Sequence, residues 1–191
     1  AGDETAAAES VRQLLALPGL TPRFLVVGED DLGTIPAVHG KFAEAEQVHR
    51  RALAIRIKVL GPAHPDTATS LNNLANVLFE QGKDEQLAPS EQRARARDQI
   101  RVFTETEGLY RRALAIQEQA LGAEHPTIAA TLNNLGALLD QGGRHSEAEP
   151  LQRRALAVLE KSLGPLHPDA AATRIGVGRL VGVPLPLGLH Q

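Results

Sequence analysis

Between Pro65 and Gly82 the apolar residues Leu71, Leu74, Ala75 and Leu78 recur at i, i+3, i+4 and i+7, which is the spacing of one buried face of an α-helix. Leu132, Leu135, Gly136 and Leu139 repeat it. Each run opens on a His-Pro pair. Pro65 or Pro126 then stands at the first helical position, where a missing N–H costs nothing, and the run closes near the glycine of QGK or QGG. A different run, FAEAEQVHRRALAIRIKVL, carries Ala45, Val48, Ala52, Ile55 and Val59 along one face and stops at Gly61, with equivalent stops at Gly122 and Gly164. Two helices per unit are predicted, and the small residues Ala75 and Gly136 mark where the second must approach the first closely.

The units repeat in register. His-Pro pairs begin at His64, His125 and His167, and RALA blocks at Arg51, Arg112 and Arg154; both series step by 61 and then 42 residues. The period is therefore 42, and the longer step carries a surplus of 19 residues between Lys83 and Glu107. Recurring LNNLA, GK(F)AEAE, RRALAI and LG..HP motifs at this period resemble tetratricopeptide repeats of the kinesin-light-chain type, over most of residues 40–173. The resemblance implies an all-α fold: an α-solenoid of antiparallel helix pairs forming a right-handed superhelix, here a short and partly degenerate array. Its concave face would bind extended peptides or partner helices.

The pattern frays at both ends. One period before LNNLANVLFEQGK stands EDDLGTIPAVHGK, in which Asp30 and Asp31 replace the asparagines and Pro36 interrupts the helix. Residues 1–39 are expected to hold an N-terminal helix and this degenerate half-repeat, and 40–173 the repeats, with an insertion at about 84–106. A degenerate tail is expected over 174–191, where RIGV fills the next LNNL slot and no polar cap follows. With no initiator Met, a fragment or a processed product is the expectation, and the uncapped tail leads to the expectation of further repeats in a longer molecule. Within the insertion Arg93, Arg95 and Arg97 alternate with other residues, which reads as a solvated helical excursion or an extension of the second helix rather than a basic site.

Composition narrows the chemistry. The chain has no Cys, Met or Trp, one Tyr and four Phe, so its core is built from Ala and Leu and there is no disulfide, cysteine-zinc site or thiol catalysis. Twenty Lys plus Arg against 23 Asp plus Glu give a net charge of −3, which argues against nucleic-acid or anionic-membrane surfaces. No apolar window is long enough to span a membrane. The N-terminus is acidic where a secretory leader would be basic, and a cytoplasmic location is the expectation. No GxSxG, HExxH, phosphate-binding loop or GxGxxG motif occurs, so neither catalysis nor a cofactor is expected. No metal is expected either, because His64, His125 and His167 sit on equivalent turns about one repeat apart. The Arg50-Arg51, Arg111-Arg112 and Arg153-Arg154 pairs read as surface ion pairs with Glu46, Glu107 and Glu149, four residues earlier.

The asparagine pairs are different in kind. At 100° per residue Asn72, Asn76 and Phe79 form one line beside the Leu stripe, as do Asn133, Ala137 and Asp140 one repeat later. In the family that the chain resembles, the first asparagine of LNNLA hydrogen-bonds the backbone of a bound peptide. That implies Asn72 and Asn133 as groove contacts, with Asn76, Phe79, Glu80, Ala137, Asp140 and Gln141 as neighbours, because an amide both donates and accepts. Asn73 and Asn134 are expected to be structural and to turn toward the helix packing with Ala75 and Gly136. The expected function is a noncatalytic module for a protein or peptide partner. A self-associating or spacer segment of a larger scaffold, joined through its uncapped ends, is the alternative.

Overall fold

The computed structural model describes residues 42–83 and 92–180. The expected N-terminal helix, the Pro36 interruption and the end of the tail lie outside those residues. Six helices follow one another: α1 (Phe42–Leu60), α2 (Pro65–Lys83), α3 (Gln92–Leu121), α4 (Pro126–Gln141), α5 (His145–Leu163) and α6 (Pro168–Leu180). The fold is all-α and of the repeat class, with no strand among the described residues. The chain divides into two compact units after Ile116.

In the first unit α1 packs on α2, and a core of Ala68, Leu71, Ala113 and Ile116 is flanked by Leu53 and Leu109. In the second unit α4 packs on α5 and α5 on α6; Leu132, Leu135, Leu139 and Ile128 are fully buried. Residues 92–106, within the stretch expected as an insertion, are helical and continuous with the rest of α3.

The turns between helices follow from local chemistry. Gly61, Gly122 and Gly164 have φ of 94°, 88° and 89°, values that L side chains rarely adopt. Each N–H closes the preceding helix, as Gly61 does on the Ile57 carbonyl at 3.1 Å. The histidine three residues on is an N-cap in all three turns: Nδ1 of His64, His125 and His167 accepts from the N–H of Asp66, Thr127 and Asp169 at 3.1, 3.3 and 3.3 Å. The His-Pro pair thus joins a side-chain cap to a proline at the first helical position. His125→Ala is expected to cost about 1 kcal/mol, and His125→Asn to restore most of it; thermal unfolding of the three proteins measures the difference, and an unchanged midpoint for alanine would disprove the cap.

One expected face is corrected. The buried residues of α1 are Ala45, His49, Ala52 and Arg56, whereas Val48 and Ile55 are half-buried and Val59 is 42% exposed. The helix is rotated by roughly 50° from the line that its apolar residues alone suggest. The physical reason is that Arg56 can be buried with partners: Nη1 donates to the Ser70 hydroxyl at 2.5 Å and to the Asp66 carbonyl at 3.1 Å, which offsets desolvation of the guanidinium.

Candidate functional site

On α2 the Leu71, Leu74, Ala75 and Leu78 stripe is buried. Asn72, Asn73, Asn76 and Phe79 beside it are half-buried and Glu80 is exposed. Asn76 is held from within the repeat, because the hydroxyl of Tyr110 on α3 donates to its Oδ1 at 2.7 Å. Tyr110 is fully buried. Burial, and secondarily the Glu80 carboxylate, push its ionisation well above the ordinary phenol range, so it remains a neutral donor.

On α4 the same line carries Asn133, Ala137 and Asp140, all half-buried, with Gln141 exposed at its end. Asn133 Nδ2 donates to the Thr173 hydroxyl of α6 at 2.7 Å. Asp140 lies 2.7 Å from His145 Nδ1 at the start of α5. Asn134 is half-buried. Asn133, expected as a partner contact, thus also bridges from α4 to the next first helix. Gly136 is buried against α5, where Gln152 crosses it: a Cβ added there would stand 2.7 Å from Gln152 Cγ.

Three residues of this arrangement went unnoticed in the sequence: Tyr110, Thr173 and Gln152. His49, Tyr110 and Gln152 stand two residues before their RALA blocks, and all three are buried. The repeat thus sends a polar side chain inward from each second helix. The signal was the alignment itself, in which H, Y and Q share a column and helical phase places that column beside Ala45, Ala113 and Ala148.

The arginine ladder is occupied. Arg50, Arg111 and Arg153 pair with Glu46, Glu107 and Glu149 at 2.8, 2.9 and 2.8 Å, contacts worth about 0.2–0.5 kcal/mol each. Arg50 also reaches Glu105 at 2.6 Å, and Arg154 reaches Glu118 at 2.5 Å and the Ala123 carbonyl at 2.9 Å. A cleft of about 340 Å³ lined by Ala123, Arg154, Ala157, Val158 and Lys161 has its two cations engaged, Arg154 as above and Lys161 with Glu124. Among the described residues no three His, Asp or Glu side chains gather as metal ligands, and no helix is long and apolar enough to cross a membrane.

The helix pairs, the His-capped turns and the matched columns describe one repeating unit, and a tetratricopeptide repeat family model matches it over residues 32–99 and 101–161. The chain belongs to the tetratricopeptide repeat family. Among solved structures it is similar to BtubC (BKLC) from P. vanneervenii, with a TM-score of 0.74 and 24% identity over 95% of this chain and 66% of that one. Nearly identical TPR-like repeats assigned to a kinesin light chain of Podosopora anserina superpose with a TM-score of 0.68 at 22% identity, covering 95% of this chain and 79% of theirs. The N-terminal domain of stress-induced protein-1 from C.elegans gives a TM-score of 0.56 at 18% identity, over 85% of this chain and 99% of that one. At these identities the structural likenesses establish the fold, and a comparison with curated proteins finds no match. Tetratricopeptide repeats are in general noncatalytic modules of protein–protein interaction, and no enzyme family is indicated.

Proposed function

We propose that this tetratricopeptide chain binds an extended peptide or partner helix in the groove that the first helices of such repeats line, with Asn72 and Asn133 as backbone contacts. The observation that supports this reading most is the placement of carboxamides at half-buried positions just off the Leu stripes of α2 and α4. At Asn133 only one end of the amide is tied to a neighbouring helix, by Nδ2 to Thr173, which leaves the other end for a partner. An amide can satisfy an extended backbone whatever side chains it carries. Phe79, Glu80, Asp140 and Gln141 at the ends of the same faces then set side-chain preference, and Asn73 and Asn134 serve the packing.

The test uses the full chain and a peptide selected on it from a random-sequence display library. Asn72→Ala with Asn133→Ala is expected to weaken the complex at least about ten-fold, the equivalent of one hydrogen-bonded group or more. Circular dichroism should show the helices retained. Equal affinity of the folded double variant would refute the reading.

A further inference from the structure

We infer that Thr173 is a positioning residue of this binding face: it holds the Asn133 carboxamide with its oxygen outward, so that the seam between α4 and α6 takes a partner segment presenting an N–H at that point. The inference rests on the groove reading above and adds to it a polarity and the residue that sets it.

A side-chain amide has two ends of nearly the same shape, and in isolation either can face a ligand. At Asn133 the choice is removed by a chain of hydrogen bonds. Thr173 donates its own hydroxyl proton to the Asp169 carbonyl one turn back on α6, at 2.8 Å. Its oxygen is thereby left as an acceptor for the next group, and that group is Asn133 Nδ2 at 2.7 Å. Turning the amide over would bring Oδ1 against an oxygen with no proton to offer, unless Thr173 gave up its bond to Asp169. With Nδ2 turned to the buried Thr173, the other end of the half-buried Asn133 amide is Oδ1, and that oxygen is not one of the buried side-chain atoms left without a hydrogen-bond partner.

The hydroxyl is a feature of the repeat rather than of one turn. Ser70, Thr131 and Thr173 are spaced by 61 and 42 residues, like the other motifs, and all three are buried. Ser70 and Thr131 precede Asn72 and Asn133 by two residues, and Thr173 precedes Ile175, which fills the same column in α6. At Ser70 the hydroxyl again accepts from an earlier element, there Arg56. In the second unit the same acceptor orients a groove amide. An outward carboxamide oxygen favours a backbone N–H or an amine and disfavours a carbonyl, because a mismatched pair leaves two acceptors facing each other without water.

The experiment takes the library-selected peptide and replaces each of its backbone N–H groups in turn by an ester oxygen, with affinity read by fluorescence anisotropy on the full chain. Wild type should show one position at which the ester weakens binding about ten-fold. Thr173→Val, which keeps the shape and removes the hydroxyl, should bind the parent peptide more weakly and lose most of that ester penalty. Thr173→Ser should behave as wild type. If Asn133→Ala weakens binding and Thr173→Val keeps the full ester penalty, the positioning role is overturned and the groove reading stands. If the Asn72 and Asn133 substitutions leave affinity unchanged, the groove reading itself falls. Should Thr173→Val fail to fold, the ligand-free wild-type protein still decides the matter by NMR: one Nδ2 proton of Asn133 should exchange slowly and show a cross-peak to the Thr173 methyl group. An Asn133 amide in free rotation would overturn the inference.

Discussion

Tyr110→Ala lowers the unfolding free energy by about 3–5 kcal/mol, and denaturant titration of the full chain should show it as a large fall in midpoint. Tyr110 is fully buried in the first unit and is one of only five aromatic residues in the chain, which has four Phe and a single Tyr. Alanine leaves a ring-sized hole in a core whose other apolar residues are Ala, Leu, Ile and Val, and small residues on rigid helices cannot collapse to fill it. Tyr110→Phe separates the ring from its hydroxyl. It removes only the bond to Asn76 Oδ1 and should cost about 1 kcal/mol. If phenylalanine were as damaging as alanine, the hydrogen bond and not the packing would dominate.

The same side chain predicts an alkaline limit. Burial, with the Glu80 carboxylate in support, raises its ionisation above the ordinary value. The unfolded chain therefore releases the phenol proton first, near pH 10. Stability from this group is complete below about pH 10 and is lost as pH rises beyond it, because the unfolded state then binds fewer protons than the folded one. With one tyrosine in the sequence, phenolate absorbance reports this site alone; it should rise only with unfolding in wild type, and Tyr110→Phe should remove that part of the alkaline instability.

The helix pairs were legible because two independent punctuations agree: glycine with positive φ after each second helix and His-Pro before each first helix. The role of the histidine was half visible. Proline at the first helical position makes its predecessor the cap, yet histidine is not among the residues usually sought there. The rotation of α1 was hidden because a search for apolar periodicity passes over His49 and Arg56, and a buried arginine is recognisable only once Ser70 and Asp66 are seen to meet it. The Asn133 bond to Thr173 was invisible for another reason. Its partners lie 40 residues apart on first helices of successive repeats, and the α6 sequence RIGV has lost the motif that would have drawn attention to it.

Gly136→Ala should destabilise the second unit by about 1–3 kcal/mol, although in an exposed helix the same change gains up to about 1 kcal/mol in propensity. The sign reverses because the added Cβ would stand 2.7 Å from Gln152 Cγ, 3.4 Å from its Nε2 and 3.5 Å from the Ala148 carbonyl. A contact at Cγ cannot be relieved by turning the far end of the side chain; χ1 or the helix has to move. Movement away from α4 is opposed by α6, since Gln152 Oε1 already lies 3.0 Å from where a Cβ on Gly176 would be. Two glycines thus make room for one glutamine between three helices. In the first unit the matching positions hold Ala75 and Tyr110, both fully buried. Gln152 also keeps its Oε1 buried without a hydrogen-bond partner among the described residues, so its removal sheds an unpaired polar atom. Gly136→Ala with Gln152→Ala should therefore be more stable than the sum of the single changes by about 0.5–3 kcal/mol. Denaturant midpoints of the four proteins complete the cycle. Strict additivity would mean that the helices yield freely at this crossing and that glycine at 136 is not required by Gln152.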